Sequence, residues 1–82
     1  MKMSKWEVNQ VNKNGKPINL IKRNVFGKIR LMVYIDTDFG GNWYVGTEIM
    51  NTKRGNLSEK RFVKSERSGL EFINNLLRDD EE

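Results

Sequence analysis

The chain has 82 residues, enough for one domain whose own core is small. It contains neither cysteine nor histidine, which excludes disulfides and thiolate metal sites and removes the commonest metal ligand and general base. Formal charge is +4, from 15 Lys and Arg against 11 Asp and Glu, but four of those acids are Asp79, Asp80, Glu81 and Glu82. The body without them carries 15 minus 7, or +8, a field that favours polyanions over a merely solubilising role. No apolar run reaches the length of a bilayer span, and the start Met-Lys-Met-Ser-Lys-Trp lacks the apolar middle of a signal peptide. An intracellular location, cytoplasmic or nucleoid-associated, is therefore expected, with no membrane contact.

Trp6 to Val11 alternates weakly and is followed by Asn12-Lys13-Asn14-Gly15, in which Asn-Gly is a hairpin signal because both residues tolerate positive φ. Pro17 can begin a strand or sit on an edge but cannot donate to a central ladder, so the return strand is expected over Ile18 to Arg23. Trp6 is read as the lid of a small core rather than as a base-stacking ring.

Lys22 to Met50 organises the chain. Asn24 to Gly27 makes the next reversal, and Lys28 to Asp36 is the clearest strand. In it Leu31, Val33 and Ile35 alternate with Lys28, Arg30, Met32 and Tyr34, giving one greasy face and one basic, aromatic face. Thr37 to Asn42 is a glycine-containing loop, after which Trp43 to Met50 alternates again. If that loop is centred near Gly40, an antiparallel pair sets Tyr34 opposite Tyr44 and Arg30 opposite Glu48, with Val33 and Ile35 on the side of Trp43 and Val45. Gly46 falls opposite Met32, a gap of the kind that admits a ligand or another backbone.

Asn51 to Asn56 is a basic turn, and Glu59 to Lys64 a short last strand. Ser65 or Ser68 caps a helix, the latter with Glu71 as a capping box. Its apolar stripe of Leu70, Phe72, Ile73, Leu76 and Leu77 is wider than one small sheet requires, which points to a homodimer contact through Leu70, Ile73, Leu76 and Leu77. The helix is expected to stop at the acidic tail, residues 79–82, leaving a domain of residues 1–78. That tail is either solvated, or competes with nucleic acid for the basic face or recruits a basic protein partner.

Nothing supports catalysis. Asp36 and Asp38 flank a turn without a third ligand or a base, and Gly40-Gly41 does not precede a helix, so neither an enzyme site, a metal site nor a cofactor site is expected.

The order of hairpin, glycine-turn hairpin, basic hairpin and Ser-capped helix resembles the single-stranded DNA-binding C-terminal domain of the transcriptional coactivator positive cofactor 4 and its bacterial and viral relatives. The match lies in Ile18 to Leu20, Phe26-Gly27-Lys28-Ile29 with alternation through Tyr34, the Arg54-Gly55 turn, and Phe62-Val63-Lys64-Ser65 leading into Leu70 to Leu77. The resemblance implies an α+β fold, a curved antiparallel sheet of four to five strands followed by one amphipathic helix, dimeric through its helices. It also implies β-ridges that hold single strands in preference to duplex.

By position, Lys28 and either Lys22 or Arg23 match basic residues around the family's turn. Phe26 lies one place from its turn aromatic, Tyr34 stands where it has an arginine, and Lys53 and Arg54 match its third turn after a gap. On the residues alone, Lys22, Arg23, Lys28, Arg30, Lys53 and Arg54 would neutralise phosphates while Tyr34, Tyr44 and Phe26 would stack bases. The expected function is sequence-tolerant single-stranded DNA binding by a dimer in transcription, replication or recombination. Alternatives are a small protein-interaction module or inhibitor and a binder of structured RNA.

Overall fold

A computed structural model describes residues 5–81. Its elements are β1 (Glu7–Val11), β2 (Pro17–Arg23), β3 (Ile29–Thr37), β4 (Trp43–Thr52), β5 (Gly55–Phe62) and α1 (Glu66–Glu81). The strands form one antiparallel meander in the order β1-β2-β3-β4-β5, and the helix lies across one face, packing on β2, β3 and β4. The α+β expectation of an antiparallel sheet followed by a C-terminal helix is met.

Three of the four hairpins use the same turn, encoded by Asx-x-x-Gly-x. In Asn12–Lys16, Asn24–Lys28 and Asp38–Asn42 the first residue's N–H donates to the fifth carbonyl, and the glycine N–H donates back to the first carbonyl. The Asx side-chain oxygen accepts from the third and fifth N–H groups at 2.9–3.1 Å. The glycines sit at φ 79°, 81° and 80°, a region costly for any residue with a Cβ, so each glycine fixes the bend and the Asx satisfies it. Pro17 opens β2 opposite Val11, where its missing N–H costs little.

This turn corrects the expected register. With Asp38 opposite Asn42, Asp36 faces Tyr44, Tyr34 faces Gly46 and Met32 faces Glu48, two residues from the pairing of Tyr34 with Tyr44 and Arg30 with Glu48. The slip is even, so every side chain keeps its expected face and Val33, Ile35, Trp43 and Val45 share the helix side. The gap at Gly46 is filled by the chain itself: a Cβ there would lie 2.4 Å from the Tyr34 Cζ, so only glycine admits that ring.

The inner face holds the core of Leu20, Val33, Ile35, Val45 and Ile73, ringed by Trp6, Ile18, Trp43, Val63, Leu70, Leu76 and Leu77. Trp6 is thus a lid on the core. Ser65 caps the helix, its Oγ accepting the Ser68 N–H at 3.2 Å, so Ser68 is the third helical residue and the Ser68–Glu71 box does not form. A Cβ on Gly69 would approach the Ile35 Cγ2 to 2.9 Å, which shows how closely the first helical turns sit on β3.

One expectation about the helix is corrected and a second is narrowed. It does not stop before the tail but runs through Asp79 and Asp80 to Glu81. Acids oppose the dipole at a helix C-terminus, and here tertiary contacts offset that cost. The Asp80 carboxylate accepts the Trp6 backbone N–H and lies 3.5 Å from the Lys22 Nζ, and these two partners, the Trp6 N–H foremost, hold its pKa below the ordinary Asp value. Glu82 lies outside the described residues. Ile73 is 0 % exposed, and Leu70, Leu76 and Leu77 are half-buried against the same core. The wide stripe is largely consumed by its own sheet because the helix crosses three strands, so Ile73 has no surface to offer a second subunit.

Candidate nucleic-acid interface

In an antiparallel meander alternate turns share an end, so the β2–β3 turn with Phe26 and Lys28 and the β4–β5 turn with Lys53 and Arg54 project from the same edge of the molecule. Between them is a groove lined by Asn24, Phe26, Lys28, Arg30 and Asn51. Phe26 is 79 % exposed, and Lys28 beside it and Lys53 and Arg54 on the second turn are exposed as well. Arg30 is half-buried in the groove floor, and its Nε has no hydrogen-bond partner among the described residues. Neither turn segment, 24–28 or 51–56, contains an acid.

The groove therefore offers a ring, the two cations Lys28 and Arg30 and two amide side chains. Asn24 spends its Oδ1 on the turn, and Asn51 adopts φ 60°, a left-handed bend before the Lys53-Arg54 tip. Asn51 was not singled out from sequence. Its place depends on which strand ends coincide, and no local pattern carries that.

The outer face of the sheet is aromatic, as expected, but its charges are mixed where a basic face was expected. Strand alternation places Arg23, Arg30 and Lys60 there beside Glu7, Asp36 and Glu48, three cations against three carboxylates. Its centre is an aromatic row. Tyr44 meets Tyr34 edge-on at 6.3 Å and Phe62 edge-on at 6.0 Å, and the Lys60 Nζ stands 4.4 Å above the Tyr44 ring. Tyr44 is 8 % exposed, so it supports its neighbours and presents no free face for a base. Tyr34 is half-exposed over Gly46, and its hydroxyl pKa is raised by burial first and by Glu48, Tyr44 and Asp36 after it.

Phe62, 58 % exposed at the end of the row, is an open ring that alternation with Lys60 in Glu59 to Lys64 would have placed on this face.

The remaining expected phosphate contacts separate. Lys22 is on the helix side of the sheet, 4.8 Å over the Trp6 ring and paired with Asp80, because alternation with Ile18 and Leu20 turns it inward. Arg23 is on the outer face but engaged, its Nε 3.2 Å from Glu7 and its Nη1 donating to the Gly27 carbonyl at 2.8 Å, where it braces the Phe26 turn. The structure thus brings Phe26, Lys28 and Arg30 together in one groove, sets Lys53 and Arg54 on the turn at the same end of the sheet, keeps Tyr34 on the adjoining face, and removes Lys22 and Tyr44 from the accessible set.

Among the described residues no group of three or more acidic, histidine or cysteine side chains is placed to hold a metal, and no helix is long and apolar enough to cross a membrane. No protein-family model, curated protein or solved structure matches the chain.

Proposed function

We propose that this protein is a non-enzymatic, sequence-tolerant single-stranded DNA-binding protein that works as a dimer in transcription, replication or recombination. The observation that carries the reading is the exposed Phe26 ring in a groove with Lys28 and Arg30, at the same end of the sheet as the Lys53-Arg54 turn. Unpaired bases stack on open rings while phosphates seek cations, and neither interaction reads sequence. In duplex the bases are already stacked and cannot reach a ring at a turn tip, so unpaired strands are preferred. Tyr34 and Phe62 extend the stacking surface onto the outer face, and the charge balance there leaves most phosphate attraction at the turns. The resemblance to the positive cofactor 4 domain supports the same reading.

The test is titration of labelled single-stranded and duplex oligonucleotides over a salt series, with wild-type protein, Phe26→Ala, and Lys28→Glu with Arg30→Glu. Four cation contacts predict a slope of log affinity on log salt of roughly −3 for a single strand. Phe26→Ala should weaken binding by about 1–3 kcal/mol whatever the sequence. Equal affinity for both nucleic-acid forms, a flat salt response, or binding that survives the double charge reversal would sink the reading.

A further inference from the structure

The two edges of the sheet are unequal. The β1 edge is five residues long and its pairing is broken by two register shifts, which blunts it against further strands. The β5 edge is eight residues, every one exposed, and its ladder to β4 runs without a shift from Phe62 to Leu57. Long regular edges invite another strand unless something blocks them.

The backbone fixes which groups are on offer. The Val63 N–H donates to the Trp43 carbonyl at 3.0 Å, so in this alternating ladder Val63, Arg61, Glu59 and Leu57 turn their backbone groups toward β4. Ser58, Lys60 and Phe62 therefore turn theirs outward to the free edge.

We propose that a second copy of this chain docks here, the two β5 strands pairing antiparallel about a two-fold axis at Lys60, which joins the sheets into one. This seam supplies the interface for the dimer of the proposed function and rests on that reading. Centring on Lys60 pairs the free backbone groups of Ser58 with those of the other copy's Phe62, and those of Lys60 with its own equivalent. It sets Glu59 opposite Arg61 twice, and Leu57 opposite Val63 twice, as non-hydrogen-bonded pairs, whose side chains come closest.

Neighbouring registers lose this match. A centre on Glu59 opposes two glutamates and sets Leu57 against Arg61; a centre on Arg61 opposes two arginines and sets Glu59 against Val63. Registers that pair odd with even residues put inward backbone groups on the seam and side chains on the wrong face.

The side chains fit the same centre. Each Lys60 is folded back over its own Tyr44, 4.4 Å from the ring centroid, which withdraws two like charges from the axis. On the inner side the helix stops short of β5, leaving a groove lined by Glu59, Arg61, Val63 and Phe72 with Val45 and Thr47 at its base. Phe72 in that groove at 40 % and Leu57 on the same face of β5 at 44 % exposure are apolar surface that the second copy covers. Contact through this edge also accounts for a dimer whose helix has Ile73 turned wholly inward.

The experiment is sedimentation equilibrium without nucleic acid on the wild type, Glu59→Arg, Arg61→Glu, and the two substitutions combined. Wild type is expected at twice the chain mass. Each single reversal sets like charges together at both pairs and should raise the dimer dissociation constant about tenfold or more; the combined exchange restores it. The chain has no cysteine, so Leu57→Cys with Val63→Cys should give a covalent dimer on oxidation while Leu77→Cys should not. A wild type at single-chain mass, single reversals that remain dimeric, or crosslinking at Leu77→Cys alone would overturn the seam. The oligonucleotide titration is read separately on Phe26→Ala, so failure of either result does not stand for failure of the other.

Discussion

Both faces of one sheet bury large side chains, but they close in different ways. On the inner face Leu20 and Ile73 are fully buried, and the helix seals β2 to β4 with aliphatic contacts. On the outer face Ile21 and Tyr44 are buried with no second layer over them, under Tyr34, Phe62, Lys60 and the neighbouring polar side chains. The outer face also leaves Asn19 Oδ1 and Arg30 Nε buried without partners among the described residues, which costs free energy that a closed core would not tolerate. The difference assigns stability to the helix side. It leaves the outer side and its turn edge as the surface where open rings and unsatisfied polar groups can be met by a ligand.

The comparison is broken most strongly at its inner centre. Ile73→Ala removes the branched side chain that plugs the helix into the sheet, and a fully buried aliphatic truncation costs ~2–5 kcal/mol. Denaturant unfolding should show that loss as a lower midpoint. The fraction that remains folded should bind oligonucleotide as wild type does, since Ile73 touches neither the Phe26 groove nor the aromatic row. An Ile73→Ala protein of unchanged midpoint would mean the helix does not seal the core.

A smaller effect is expected from the outer face. Gly46→Ala drives a methyl into the Tyr34 ring, which must swing away and take its edge contact with Tyr44 along. Overpacking of this kind costs about 1–3 kcal/mol. Its readout is distinct, because a displaced Tyr34 changes the near-ultraviolet circular dichroism while far-ultraviolet signal and helix content stay. Gly46→Ala with Tyr34→Ala should recover part of the loss by removing the obstructed ring, and a double variant no better than the sum of the two would count against the close approach.

Much of the fold is legible in the chain, and the exceptions have identifiable physical causes. Period-two alternation found the strands and their faces because one face is aliphatic, and Ser65 announced the helix. The register differs by two residues because a loop centred on Gly40 pairs Tyr34 with Gly46, whereas Tyr34 opposite Tyr44 needs a centre one residue earlier. Asn12, Asn24 and Asp38 begin the same five-residue pattern, and that repetition fixes Asp38 opposite Asn42.

The candidate site was half legible. Phe26, Lys28, Lys53 and Arg54 follow from turn chemistry and charge. The inward turn of Lys22 was available from its alternation with Ile18 and Leu20, whereas the burial of Tyr44 depends on β5 supplying Phe62 and Lys60. The helix runs past its expected end because acids that oppose its dipole include Asp80, which is held by Lys22 and the Trp6 N–H, both distant in sequence.

The smallest effect sharpens the comparison at the turn that registers both faces. Asp38 accepts the N–H groups of Gly40 and Asn42 at 2.9 Å and the Asn42 side-chain amide at 3.2 Å. The Asn42 backbone N–H foremost, with its amide, holds the carboxyl pKa below the ordinary Asp value. A depressed folded-state pKa stabilises above the unfolded-state value, and the contribution is lost as pH falls through the depressed one. Asp38→Asn keeps an acceptor for the backbone N–H groups but removes the titrating charge. Wild type should therefore be slightly more stable than Asp38→Asn at neutral pH, and the two denaturation midpoints should converge as the buffer is taken to about pH 2, where the carboxyl is increasingly protonated. A gap between them that stays constant across that range would show that the carboxylate's charge contributes nothing to the turn. The register of both faces would then rest on the backbone bonds and on the glycine at position 41 alone.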